Sequence, residues 1–263
     1  MDQSDNNAVR EKVRERYAGI ALENGAGCGC SSSCCSPQSQ TAGAQSAGLG
    51  YSSLELDSVP EGADMGLGCG NPQAIAMLKE GETVLDLGCG GGFDCFLASK
   101  RVGESGRVIG VDMTAEMIRK ARKNARQGSY ANVEFRLGEI EHLPVADNSV
   151  DAIMSNCVIN LSPDKRQVYS EAYRVLKKEG RLAISDVVAV RNIPQEVKDN
   201  LDKYSGCVAG AATVGEIERM LHAAGFREIR IDVKEDSKHF IKDWFPDSGV
   251  ENYVSAAAIQ ARK

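Results

Sequence analysis

The sequence predicts a doubly wound α/β fold: a mainly parallel, seven-stranded sheet ending in a closing antiparallel strand pair. Three observations carry this. Short apolar runs alternate with helix-patterned segments from residue 83 to 190, with few linker residues between them. A glycine-rich turn separates the first apolar run from its helix. The last two extended segments, 227–235 and 252–263, follow one another with no helix foreseen between them.

The elements follow in order. Val9, Val13, Tyr17 and Ile20 recur at helical spacing, predicting an amphipathic helix within residues 1–22. Residues 23–50 are rich in Gly, Ser, Ala and Gln and read as one flexible segment, with 51–263 as the folded domain. Asn71 as N-cap, Pro72 at the first helical position and Gly81 beyond the end frame a helix over 73–79. Strands are expected at 83–88, 107–112, 133–138, 150–156 and 181–190. Helices are expected after the glycine-rich turn, from Thr114 to about Gln127, and from Ser162–Pro163 to just before Gly180. A helix around 195–204 leads into "YSGCVAGAAT", within a connecting insertion at about 191–212, and Thr213 with Glu216 forms a capping box for a helix ending at Gly225.

With 263 residues the chain can bury one full core. Its net charge of −6, without a dense basic stripe, argues against nucleic acid or an anionic membrane as partner. No signal-peptide pattern and no bilayer-length apolar run is present, so a cytoplasmic location is expected. Nine cysteines, an odd number, in a reducing compartment favour thiol chemistry or soft-metal binding over structural disulfides.

"LDLGCGGGFD" fails the G-x-G-x-x-G pattern of nicotinamide-binding turns, since Phe93 stands at the third glycine position. It fits D-x-G-x-G-x-G instead, through Asp86, Gly88, Gly90 and Gly92, with Cys89 in a variable slot. Asp112, at the end of the second strand, is placed to accept hydrogen bonds from ribose hydroxyls. The arrangement resembles the S-adenosylmethionine-dependent methyltransferases with a Rossmann-like sheet. That resemblance implies S-adenosylmethionine as methyl donor, held by Asp86, Gly88, Cys89, Gly90 and Asp112. It also implies Met113 flanking the adenine, Ile140 and Glu141 near the base, and Asn156 near the methionine end. Cys95 reads as a small buried hydrophobe.

Three other thiols have suggestive contexts. Cys69 lies in a glycine-rich turn, Cys157 where the fourth strand gives out, and Cys207 in a Gly/Ala-rich segment after the fifth. In a doubly wound sheet the carboxyl ends of the strands open onto one crevice, so all three can meet there. Three thiolates make a soft trigonal site. Zinc wants a fourth ligand, whereas trivalent arsenic takes three sulfurs in a pyramid and keeps its lone pair. The three histidines (His142, His222 and His239) show no pairing that suggests a general base.

"GLGCGNP" (66–72), "SNCVINLSPDK" (155–165) and "SGCVAGA" (205–211), with "VRERY" and "SCC" nearer the start, closely resemble the arsenite methyltransferases. The resemblance implies arsenite and methylarsenite as substrates, bound by Cys69, Cys157 and Cys207. It implies a redox relay in which Cys34 or Cys35 pairs with Cys69, recharged by thioredoxin or glutathione. Cys28, Cys30, Cys34 and Cys35 form C-x-C-x3-C-C, a poor match to zinc clips. They relay electrons, capture arsenite, or are incidental. Larger family members carry a further C-terminal region with extra cysteines, and this sequence stops at Lys263. Two other readings are a methyltransferase for a small organic acceptor such as a quinone precursor, and a thiol-based metalloid-binding protein without turnover.

Overall fold

The computed structural model describes residues 3–22, 42–198, 204 and 206–263. Its core is a seven-stranded sheet in the order β3-β2-β1-β4-β5-β7-β6. The strands are β1 (Thr83–Leu87), β2 (Arg107–Asp112), β3 (Val133–Leu137), β4 (Val150–Asn156), β5 (Leu176–Ala189), β6 (Arg227–Lys234) and β7 (Val254–Arg262). β1 to β5 run parallel, and β7 enters antiparallel between β5 and β6. The expected sheet and its closing pair are therefore present. Val84, Leu85 and Leu87 in β1 and Val150 and Ile153 in β4 are fully buried, as central strands covered on both faces require.

The helices are α1 (Gln3–Leu22), α2 (Ala42–Gly48), α3 (Ser53–Asp57), α4 (Gln73–Ala76), α5 (Phe93–Val102), α6 (Ala115–Gln127), α7 (Lys165–Val175), α8 (Gln195–Lys198), α9 (Val214–Ala224) and α10 (Lys238–Ile241). Val9, Val13 and Ile20 of α1 are buried, as their spacing predicts. Thr213 and Glu216 form the foreseen capping box of α9. Among the described residues no helix is long and apolar enough to cross a membrane.

Local chemistry overrode several boundaries. The segment 23–50 is not uniformly flexible: residues 42–48 form α2, whose buried Ser46 donates to Asp64 at 2.7 Å. Residues 23–41, with Cys28, Cys30, Cys34 and Cys35, lie outside the described residues. α4 stops at Ala76 rather than Lys79, because Met77 turns left-handed and Arg181 binds the carbonyls of Ala76 and Met77. α7 begins after Asp164, whose carboxylate accepts from Gln167 N at 3.1 Å, and not at Ser162. It ends at Val175, five residues before Gly180, since Leu176 already pairs with Val150 in the sheet. Between β6 and β7 the short α10 interrupts the expected direct passage, burying Ile241 and packing Phe240 against Trp244 with the rings tilted.

What positions the site is the sheet order. The chain runs from β1 outward through β2 to β3, then crosses to place β4 on the other side of β1. The crevice at such a reversal lies beyond the carboxyl ends of the two central strands. Those ends carry Gly88 and Asn156–Cys157.

Candidate active site

A cleft occupies that crevice. Asp86, Gly88, Cys89, Gly90, Asp112, Met113, Ile140, Glu141 and Asn156, every residue expected at the cofactor, line it together with Cys157. Asp112 is locked in place: one carboxylate oxygen accepts from Gly90 N at 3.0 Å and the other from Thr114 N at 2.8 Å. Burial pushes its pKa up, and these backbone donors pull it back. Glu141 accepts from the Ser162 hydroxyl at 2.7 Å and lies 3.4 Å from Arg10, which ties α1 across the cleft mouth.

Sequence reasoning missed a second acid. Asp94, on the first turn of α5, lines the cleft and accepts from the Tyr51 hydroxyl at 2.8 Å. Burial raises it to about 6 and, with the Asp94 charge adding to it, pushes Asp86 well above the carboxylate range. Among the described residues neither carboxylate has a salt-bridge partner; their contacts come from Cys95, Tyr51 and Asn156. Two buried acids open to a cleft whose lining cation, Arg10, is paired with Glu139 and Glu141 suit a ligand bearing positive charge, and S-adenosylmethionine carries an ammonium and a sulfonium. The donor set thus fits the expected methyl donor. Asp94 comes just after the glycine loop, which was a usable signal; Tyr51 and Arg10 offered none, because they reach the cleft from remote segments, and Val13 and Tyr17 were legible only as part of the N-terminal helix and the "VRERY" motif.

This pair sets a pH dependence. Ionised Asp94 attracts the cation, so protonation near pH 6 weakens binding. The dissociation constant of S-adenosylmethionine should rise about tenfold from pH 7 to pH 5, the change given by one group titrating near 6 that must be ionised to bind. Titration calorimetry across this range checks it, and Asp94→Asn should flatten the profile.

Asn156 turns out to serve the protein itself. Its carbonyl oxygen accepts from Cys69 N at 3.0 Å, and its amide donates to Gly70 O at 2.8 Å and Tyr51 Oη at 3.1 Å. The Cys69 turn is thereby fastened to the end of β4. Cys157 follows, with φ at 58°, a left-handed residue that breaks the strand while its N–H still donates to Ser185 O at 2.8 Å. Cys207, also left-handed at φ 66°, brings its thiol 3.0 Å from the Cys157 carbonyl oxygen.

The three thiols are buried and free; the sulfurs of Cys69 and Cys157 lie within 4.8 Å of each other, and the Cys207 thiol reaches the Cys157 carbonyl. Of the three, Cys157 alone lines the cleft. Burial raises Cys69. For Cys157 the contact with Cys207 pulls down, but the contact with Cys69 and burial carry it well above the usual thiol range. Cys207 is raised by its bond to Cys157 and by burial. Cys89 and Cys95 form a separate pair under the glycine loop; burial raises Cys89 to about 11.

The chain is similar to known methyltransferases in sequence and in fold. Residues 78–225 match the family model described as a methyltransferase domain. An arsenite methyltransferase of Halobacterium salinarum is 51% identical over 98% of this chain and 68% of its own length. The chain belongs to the arsenite methyltransferases. The human arsenite methyltransferase is 42% identical over 54% of this family member, which spans 40% of the human protein's length. CrArsM of Chlamydomonas reinhardtii, described as an arsenic(III) S-adenosylmethionine methyltransferase, superposes with a TM-score of 0.60. It is 35% identical, with 83% of this chain and 72% of CrArsM covered.

Proposed function

We propose that this chain transfers methyl groups from S-adenosylmethionine to trivalent arsenic held by Cys69, Cys157 and Cys207. The observation carrying this is the meeting of three buried thiols from remote segments at the end of β4, with Cys157 in the wall of the cleft. S-adenosylmethionine, when bound, supplies an electrophilic methyl group on a cationic sulfur.

The chain's residues prepare the acceptor. Each thiol that replaces an arsenite hydroxyl sends its proton out with that hydroxyl as water, so three thiols and As(OH)3 give one tris-thiolate and three waters. Raised thiol pKa values are compatible with this exchange, which consumes protonated thiols and releases no net proton. Three sulfurs leave the arsenic lone pair free, and no general base is needed. Cys157 supports its direction, since it is the ligand shared by the thiol cluster and the cleft. Holding acceptor and donor in register is worth about 7–11 kcal/mol for well-oriented partners. Cys34 or Cys35, with thioredoxin or glutathione as reductant, would keep Cys69 reduced between turnovers.

Purified protein given labelled methyl donor should yield methylated arsenic only when arsenite is present. Label-free arsenic despite tight arsenite binding would mark a binding protein, and label on a quinone precursor an organic acceptor; either overturns the reading. Methylarsenite has two exchangeable positions, so Cys157 and Cys207 should suffice for it. Cys69→Ser should therefore lose at least about ten times more kcat/KM on arsenite than on methylarsenite, a difference of about 1.4 kcal/mol. Rates measured on both substrates decide it.

A further inference from the structure

The tightest cluster of ligand-type atoms around these thiols is not the three sulfurs. A carboxylate oxygen of Asp186 and the sulfurs of Cys69 and Cys157 all lie within 4.8 Å of one another, and all three residues are buried. Cys207 is not part of that cluster; its thiol donates to the Cys157 carbonyl oxygen at 3.0 Å. Asp186 lies near the end of β5, with its carboxylate held from four directions. It accepts from Val187 N at 2.7 Å, Ile159 N at 2.9 Å, Asn160 N at 3.3 Å and the Asn160 amide at 2.9 Å. Ligating carboxylates are commonly fixed by such outer bonds.

We propose that Cys69, Cys157 and Asp186 form a binding site for a divalent cation of borderline softness, zinc, with water in the fourth position. Two sulfurs and one carboxylate oxygen are ligands zinc accepts, and three protein ligands plus water is a recurrent zinc arrangement. Zinc bonds of about 2.3 Å to sulfur and 2.0–2.2 Å to oxygen place tetrahedral ligands roughly 3.5–3.8 Å apart. Movement of the two sulfurs by about 1 Å from the observed limit closes the site, and the metal takes the place of the longest of the four donors, Asn160 N at 3.3 Å. The binding balance is one Zn²⁺ and two thiols giving a dithiolate–carboxylate complex and two protons released to solvent. Arsenic and zinc thus share Cys69 and Cys157 and differ in the third ligand: Cys207 for arsenic, Asp186 for zinc. A zinc-filled site has no lone pair facing the cleft and no free sulfur for arsenite, so zinc competes with the substrate. Zinc binding itself does not depend on the arsenic reading and is measured without arsenite.

The test uses the reduced full chain. Zinc chloride is titrated in competition with a chromophoric chelator, and cobalt(II) serves as spectroscopic probe. Zinc retained by Cys157→Ser reports the Cys28–Cys35 cluster and is subtracted. The remaining zinc should number one per chain and release two protons in weak buffer. Cobalt there should show tetrahedral ligand-field bands with thiolate charge transfer. Cys207→Ser should keep zinc affinity within about threefold. Asp186→Asn should lower it at least about a hundredfold, the upper end of what losing a mere outer-shell partner costs. Should Asp186→Asn fail to fold, the cobalt spectrum, the proton count and Cys207→Ser still decide. Zinc retained in full by Cys157→Ser, an octahedral cobalt spectrum, or equal losses in Cys207→Ser and Cys69→Ser would each overturn the proposal. Arsenite-independent zinc binding that leaves arsenite kinetics unchanged would overturn the competition.

Discussion

Cys157→Ser should lower arsenite-dependent methyl transfer at least about a thousandfold while leaving S-adenosylmethionine affinity within about threefold. The first figure is conservative beside effective molarities of roughly 10⁵–10⁸ M for well-oriented reactants. The asymmetry follows from position. Cys157 is the residue both other thiols approach, Cys69 at its sulfur and Cys207 at its carbonyl, and is also the thiol in the cleft wall. Serine keeps the left-handed turn and the shape but supplies a hard oxygen that trivalent arsenic exchanges for water. The loss should reach methylarsenite as fully as arsenite, since no pair of the remaining sulfurs is bridged through position 157. Calorimetry for the cofactor and single-turnover label transfer for both arsenicals separate the two effects. A variant with near-normal turnover would show that arsenic is methylated elsewhere.

The parts of this site legible in the sequence were those written as contiguous motifs. D-x-G-x-G-x-G and the acid ending β2 specified the cofactor loop, because the backbone torsions and the carboxylate position are local requirements. Cys157 and the segment carrying Cys207 could be placed at one end of the sheet because each follows a parallel strand, whereas Cys69, which precedes β1, is brought there by the bonds of Asn156. Contacts made across the fold were not legible. Nothing near Tyr51 announces that its hydroxyl binds Asp94, and nothing near Asp186 announces two thiols within 4.8 Å. Asn156 was expected beside the donor, and its side chain also anchors the Cys69 turn. Helix ends moved where a remote side chain captured the terminal carbonyls, as Arg181 does for α4.

Gly88→Ala should abolish cofactor binding and arsenic capture together, and the reason joins the two halves of the site. Gly88 sits at φ 70°, where a side chain is strained by about 1–2 kcal/mol. A methyl group there would stand 2.6 Å from Val158 Cγ1 and closer still to Cγ2. Val158 is the residue after Cys157, so the methyl group cannot be accommodated without moving either the cofactor loop or the thiol turn. The missing side chain at position 88 is therefore what lets the loop that faces the donor and the turn that faces the acceptor pack against each other. Loss of more than about a hundredfold in kcat/KM is expected, corresponding to about 2.7 kcal/mol. Clash and torsional strain can be told apart. In the double variant Gly88→Ala, Val158→Ala the collisions with both γ-methyl groups are removed, leaving a 2.9 Å approach to Cβ and the torsion, so activity should recover to near the fivefold to thirtyfold deficit that about 1–2 kcal/mol of strain permits. If Val158→Ala alone is harmless and the double variant stays as dead as Gly88→Ala, the contact between the two loops is not what holds donor and acceptor in register.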